Sequence, residues 1–240
     1  MLVLEDVSKS YGAKKILNAL SFEIKRGEII GFVGLNGSGK TTTMRCILGI
    51  TSLSGGRVTI SDSTGARSTV VKNSIGYMPE ERGLFQNETV LENLTYFGEL
   101  RGLSDEILYR RIHEMLREFN MAEFSQVKVK NLSLGNQQRI QLITTMLHNP
   151  QYLLLDEPFS GLDPIGTAQL AKYLQRVAGE GVGILLSSHI LEHVNLICNR
   201  ALVLNQGRIE TVFLNNSGLR NPDGLTITDY YFKIEQDEKI

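Results

Sequence analysis

The chain has 240 residues, 42% of them hydrophobic, which suits one large domain with a buried core or a domain carrying an inserted subdomain. Its 25 basic and 26 acidic residues balance to a formal net charge of −1, leaving no electrostatic footprint for nucleic acid or for an anionic membrane surface. The two cysteines, Cys46 and Cys198, lie far apart in no metal spacing, no apolar run approaches the ~18 residues of a membrane span, and Met1-Leu2-Val3 is no charged-then-apolar leader, so a soluble, intracellular protein with buried free thiols is expected.

Leu2 to Val7 and, more loosely, Ile16 to Ile24 alternate apolar and polar residues and predict strands. Lys9-Ser10-Tyr11-Gly12 between them predicts a turn; Tyr11 suits either stacking on a purine ring or an ordinary turn or core position. Glu28 to Val33 is a short apolar strand, followed directly by Gly34-Leu35-Asn36-Gly37-Ser38-Gly39-Lys40-Thr41, which fits G-x-x-x-x-G-K-[ST]. Thr42 to Leu48 continues as a helix with Met44, Ile47 and Leu48 on one face. Strand, glycine-rich loop and helix are what binding a triphosphate requires. The glycines let the backbone turn sharply and approach a ligand. The free N–H groups of the loop and helix start point at an anion. Lys40 adds a point charge for the outer phosphates, and the Thr41 hydroxyl can ligate Mg2+.

Gly55 to Ile60 predicts a strand, Ser61 to Ser68 a small polar loop, and Ser74 to Met78 a strand broken at Pro79-Glu80-Glu81-Arg82-Gly83. There the composition shifts. Thr89 to Arg101 and Ser104 to Phe119 carry apolar residues at helical spacing and predict amphipathic helices inserted into an α/β frame. In Asn131-Leu132-Ser133-Leu134-Gly135-Asn136, Ser133, Gly135 and Asn136 sit where a further helix starts.

Tyr152-Leu153-Leu154-Leu155-Asp156-Glu157 predicts a buried parallel strand ending in two carboxylates, at the edge where open α/β sheets place ligands. Two adjacent acids there are costly to bury without a cation. Pro158 to Pro164, with Ser160, Gly161 and Asp163, predicts a loop, and Ile165 to Ala178 a helix. Val182 to Leu186 is another buried strand, with His189 following at the same edge; a structural and a functional histidine fit equally well. His189 to His193 also matches H-x-x-E-H, a zinc-protease pattern, but no third ligand is apparent. Ala201 to Asn205 and Gly207 to Phe213 predict a closing hairpin, Asn215 to Gly224 a polar linker, Leu225 to Ile234 one more strand, and Glu235 to Lys239 a frayed end.

The order of these pieces resembles the ATP-binding cassette ATPases, the nucleotide-binding subunits of ABC transporters, over residues 2 to 213. The resemblance implies an α/β fold: a P-loop NTPase (RecA-like) core with an N-terminal antiparallel β subdomain and an inserted helical subdomain at about residues 80–134. The ATPase domain would span 1–214, with 215–240 a short C-terminal extension. It makes Tyr11 the adenine-stacking aromatic and residues 34–41 the Walker A loop, with Thr42 beside it. Asp156 ends the Walker B strand, Glu157 is the catalytic glutamate and His189 the switch histidine. Asp163 belongs to the D-loop. Ser133, Gly135 and Asn136 form the signature, contacting ATP held by a second cassette. Thr41, Glu80 and Asp156 surround Mg2+.

Two positions depart from the family pattern. The usual Leu-Ser-Gly-Gly-Gln reads Leu132-Ser133-Leu134-Gly135-Asn136, and Glu80 stands at the Q-loop position instead of Gln. Both forms are similar to exporters of the ABC-2 type. The resemblance implies ATP and Mg2+ as ligands, a second ABC ATPase subunit and a membrane-spanning permease as partners, no nucleic acid, and a cytoplasmic place on the inner face of the membrane. The competing readings are a soluble cassette ATPase of DNA repair or translation, a phosphate-loop kinase or GTPase, and a non-hydrolysing module. No coiled coil or basic surface supports the first. The second has no Asn-Lys-x-Asp motif and leaves residues 132–137 unexplained, and intact Asp156, Glu157 and His189 oppose the third.

Overall fold

A computed structural model of the chain describes residues 1–62, 66–70, 72–215 and 218–231. Two sheets form the frame. The first is antiparallel, in the order β2-β1-β4-β5, from β1 (Leu2–Tyr11), β2 (Lys14–Ile24), β4 (Gly55–Ser61) and β5 (Arg67–Thr69). The second has seven strands in the order β11-β10-β9-β3-β8-β7-β6. They are β3 (Ile29–Val33), β6 (Ile75–Met78), β7 (Tyr152–Asp156), β8 (Gly183–Ser187), β9 (Arg200–Asn205), β10 (Arg208–Asn215) and β11 (Leu219–Arg220). From β9 through β6 this sheet is parallel; the β9–β10 hairpin and β11 extend it antiparallel.

The central strands are apolar throughout because both faces are covered. Their side chains alternate between two cores. Leu153, Leu155, Ile184 and Leu186 face one, with Leu170 and Leu174 of α5 (Pro164–Gly179) and Val194 of α6 (Leu191–Ile197). Leu154, Leu185, Ile30 and Phe32 face the other, with Met44 of α1 (Lys40–Ile47) and Leu2, Leu4 and Leu20 of the antiparallel sheet. Both cysteines are buried and free, Cys198 with its thiol pKa pushed up by desolvation.

A third core is helical: α2 (Val90–Leu100), α3 (Asp105–Glu118) and α4 (Leu134–Met146) bury Val90, Leu94, Leu108, Ile112, Ile140 and Ile143. The start of α2 is fixed by a capping box, Thr89 accepting from the Glu92 N–H while the Glu92 carboxylate accepts from the Thr89 N–H at 2.7 Å. The helix α4 belongs to both layers, since Leu142 and Met146 on its other side join the core against the central sheet.

Several boundaries differ from the sequence expectation. Lys9 to Tyr11 are strand, not turn; β1 pairs with β2 up to Tyr11 and only Gly12 and Ala13 turn. Arg67 to Thr69, expected partly as loop, pair with β4 as an edge strand. The linker after Asn215 contains β11, held to β10 through Leu214 and Asn215. The strand expected over Leu225 to Ile234 is instead a helical turn at 227–231. There Thr226 and Asp229 cap each other, Thr226 Oγ1 donating to Asp229 Oδ2 at 2.6 Å, and Ile227 is buried. Local capping overrides the weak alternation there. Residues 232–234 of that expectation, and the charged end Glu235–Lys239, lie outside the described residues. Among those residues no helix is long and apolar enough to cross a membrane.

Candidate nucleotide site

Four parallel strands deliver their carboxyl ends to one edge. Gly34 leaves β3, Pro79 and Glu80 leave β6, Asp156 ends β7, and Ser188 and His189 leave β8. A cleft of about 490 Å³ opens there. Asn36, Gly37, Gly39, Lys40, Thr41 and Thr42 line one side, Asp156, Glu157, His189 and Glu80 the other, and Tyr11, Lys14 and Ile16 of the antiparallel sheet a third.

The loop is built by its glycines. A Cβ on Gly34 would meet the Leu204 carbonyl oxygen at 2.2 Å, and Gly39, which precedes α1, has φ +112°. Only glycine tolerates both demands without a shift of backbone. Ser38 is buried against this turn and its carbonyl accepts from the Gly207 N–H at 3.2 Å, tying the loop to the β9–β10 hairpin. Thr43 Oγ1 donates to the Gly39 carbonyl at 2.9 Å and steadies the first turn of α1.

Lys40 is folded back over the loop, donating to the carbonyls of Gly34 at 2.7 Å and Leu35 at 3.2 Å. Burial pushes the Lys40 pKa down, opposed by the negative charges of Glu157, Asp156 and Glu80. It therefore sits as a desolvated cation among acids and loop carbonyls, poised for an anion. Thr41 Oγ1 donates to Asp156 Oδ2 at 2.6 Å. The other carboxylate oxygen, Oδ1, accepts from Ser187 Oγ at 2.5 Å, and Ser187 Oγ accepts in turn from the Glu157 N–H at 3.0 Å. Sequence reasoning missed Ser187; the available signal was a serine ending an otherwise apolar buried strand.

Glu157 lies just past the strand, not on it, at φ +51°. A left-handed glutamate persists only where its surroundings over-determine it. Here its carboxylate Oε2 reaches His189 Nδ1 at 2.9 Å. His193, the other histidine of the H-x-x-E-H pattern, lies instead against the Phe159 ring, with centroids 4.5 Å apart. Tyr11 is 54% exposed, its ring under the Lys9 ammonium at 4.7 Å.

Ser133, Gly135, Asn136 and Asp163 do not line this cleft. Ser133 caps α4, its Oγ accepting from the Asn136 N–H at 3.3 Å. Ser133 is exposed and so is Leu134, while Gly135 packs close to Gly161; a Cβ there would stand 3.3 Å from the Gly161 carbonyl oxygen. Asp163 caps α5, its Oδ1 accepting from the Gly166 N–H at 2.6 Å. These residues form a second patch, built of two helix starts and lying outside the cleft.

The model of one family, described as ABC transporter, matches residues 17–160. An uncharacterized ABC transporter ATP-binding protein of Methanocaldococcus jannaschii is 41% identical over 205 residues, 85% of this chain and 74% of that protein. Nod factor export ATP-binding protein I of a Rhizobium species is 36% identical over 206 residues, 85% of this chain and 68% of that protein. Among solved structures, an ATP-binding subunit of an ABC transporter superposes with TM-score 0.84 at 28% identity, covering 98% of this chain and 99% of the other. A dimeric cassette in a post-hydrolysis state with ADP and Pi shares the fold, with TM-score 0.80 at 23% identity over 89% of this chain and 98% of that one. The phosphate loop, the paired carboxylates at the sheet edge and these likenesses together place the chain in the ABC transporter family, as an ATP-binding and ATP-hydrolysing subunit.

Proposed function

We propose that the cleft binds Mg-ATP and that Glu157 drives its hydrolysis when a second cassette closes over it. The observation that carries this reading is the Thr41–Asp156 contact at the mouth of the phosphate loop, with Glu157 as the next residue. A hydroxyl and a carboxylate converging there, with Glu80 on the same wall, are the hard oxygen donors a Mg2+ ion takes. Thr41 and Asp156 would hold the ion, and Glu80 would face it directly or through water. When bound, it neutralises charge on the phosphate oxygens. The loop N–H groups and Lys40 hold the triphosphate, Tyr11 stacks on adenine, and Glu157 accepts a proton from the attacking water while His189 keeps its carboxylate aimed.

The second patch then has a purpose. Ser133 and Leu134 are exposed at the start of a 13-residue helix with no acidic residue in its first turn, which suits an anion supplied by another molecule. Ser133, Gly135 and Asn136 of one copy face the phosphates held by the other. The relative solved as a dimer with ADP and Pi supports this arrangement.

The partner in the membrane is a permease, and the helical layer is where it docks. Phe85 and Tyr96 are 45% exposed and packed edge to face at 5.0 Å, with Leu100 exposed beside them. Leu100 and Phe97, whose ring stacks on Phe85, line a hollow of about 290 Å³ that also reaches Pro79 and Gly83 of the loop carrying Glu80. Force on that hollow is delivered to the nucleotide cleft. The subunit works at the inner face of the membrane and serves export, as the resemblance to ABC-2 exporters and the Nod factor relative support. The decisive experiment is ATP hydrolysis by the purified chain and by Glu157→Gln, with nucleotide binding measured alongside. Turnover lost with binding retained is expected; wild-type turnover in Glu157→Gln removes Glu157 from its role.

A further inference from the structure

Three glutamines lie close together on α4, and two of them reach out of the helix to different parts of the site. Gln138, 3% exposed, donates from Nε2 to the carbonyls of Glu157 at 3.3 Å and Pro158 at 3.0 Å. Gln141, three residues on and 4% exposed, donates from Nε2 to the carbonyls of Pro79 at 2.7 Å and Glu81 at 3.4 Å, the residues flanking Glu80. Both partners of each amide are carbonyls, so the NH2 end of each side chain must face them. The third, Gln137, donates to Val129 and Leu132 and only braces the approach to α4.

We propose that Gln138 and Gln141 are positioning residues that make α4 a rigid spacer between Glu157 and the Glu80 loop. The inference rests on the assignment of Glu157 above. Glu157 is held in its left-handed conformation from both sides: Ser187 takes its N–H, and its carbonyl accepts from Gln138 and from the Ser160 N–H at 3.1 Å. Together these bonds fix the direction in which the Glu157 side chain leaves the backbone, and Gln138 is the one that ties it to α4. Gln138 does not line the cleft, so its effect passes through Glu157. Gln141 shows the cost of such a tether. Its Oε1 is buried with no hydrogen-bond partner among the described residues, which a side chain selected for stability alone would avoid. Because residues 138 and 141 are one turn apart on the same helix, a shift of the Glu80 loop moves Glu157.

The test is steady-state hydrolysis by Gln138→Met and Gln141→Met, in the wild-type and in the Glu157→Gln background. Loss of two hydrogen bonds lowers kcat in Gln138→Met by about tenfold, with ATP affinity and KM changed by no more than about twofold. In Glu157→Gln the same substitution leaves the residual turnover where it was, because the group it positions is gone. Gln141→Met shows the same split. Should Gln138→Met fail to fold, Gln138→Leu, apolar and of similar volume, removes the same two donors without burying a charge, with the same outcome expected. Unchanged kcat, or an equal fall in both backgrounds, overturns the proposal. If Glu157→Gln is inactive while Gln138→Met turns over normally, only the spacer fails; if Glu157→Gln turns over normally, the assignment of Glu157 fails with it.

Discussion

Glu157 Oε2 and His189 Nδ1 stand 2.9 Å apart, a pair made by residues at the ends of two adjacent parallel strands. The acid is nearly buried and the ring is mostly exposed, 11% against 61% for their side chains. The histidine therefore reaches the acid from the open side of the cleft. A general base held in one orientation contributes more to the transition state than a freely rotating one. His189→Ala should lower kcat by about a hundredfold while ATP affinity stays near wild type. Equal losses in kcat and in affinity would assign the ring to binding instead.

Lys40 tests the phosphate loop itself. Its ammonium rests on two loop carbonyls and lies in the field of Asp156, Glu157 and Glu80. Without that cation the triphosphate meets three carboxylates uncompensated. Lys40→Ala should weaken ATP binding at least about tenfold, read by equilibrium dialysis or a fluorescent nucleotide. Unchanged affinity would contradict the loop's role.

Dimerisation is tested by trapping the state before hydrolysis. With Glu157→Gln and saturating Mg-ATP, the chain should sediment as a dimer and revert to monomer when the nucleotide is removed. A monomer under those conditions argues against a sandwich of two identical copies. Replacing Ser133 by Ala in the same background should weaken the dimer while leaving ATP affinity of the monomer intact, since Ser133 lies outside its own chain's cleft.

The loop glycines differ in kind. At Gly34 a methyl group would strike the Leu204 backbone oxygen, which no side-chain rotation relieves; at Gly37 nothing lies within 4 Å and only φ +82° resists. Gly34→Ala should cost about 2–3 kcal/mol of stability against about 1 kcal/mol for Gly37→Ala. Thermal denaturation in the absence of nucleotide ranks the two, and the reverse ranking would refute the packing argument.

A pH effect on stability follows from His148, just after α4. Desolvation, with the nearby positive charge of Arg101, lowers its pKa from 6.5 to about 4, although Nε2 hydrogen-bonds the Ile75 carbonyl at 3.2 Å. Below pH 6.5 the unfolded chain binds a proton that the folded chain refuses until about pH 4, so stability is full above 6.5 and is lost as pH falls through that window. The loss from this residue is about 2 kcal/mol at pH 5. Urea midpoints at pH 7.5 and 5 should draw closer together in His148→Gln than in wild type; identical shifts in both proteins would clear His148 of the effect.

Much of the site could be read in the sequence because its chemistry is local. Gly34 to Thr41 specify a loop whose conformation depends on neighbours in sequence, and a phosphate cradle needs consecutive N–H groups. Asp156 and Glu157 announced themselves by ending an apolar run and Ser133 by standing where a helix starts, whereas Asp163 was marked only by the resemblance, within an expected loop. The strands of the central sheet were legible for the same reason: burial on both faces leaves an unbroken apolar stretch. Weak alternation misled over Leu225 to Ile234, where side-chain capping by Thr226 and Asp229 decided the matter.

What the sequence determined alone is a glycine-rich loop of phosphate-binding pattern, a carboxylate pair ending a buried strand and a histidine following the next one, as candidates named by residue. Tertiary structure decided that strands β3, β7 and β8 lie side by side and parallel, so that Thr41, Asp156, Ser187, Glu157 and His189 share one edge. It also decided that Gln138 and Gln141 turn outward from α4 to two separate loops. The physical reason is that strand order and buried amide pairing are set by contacts between residues far apart in the chain, for which a single sequence carries no periodic signal.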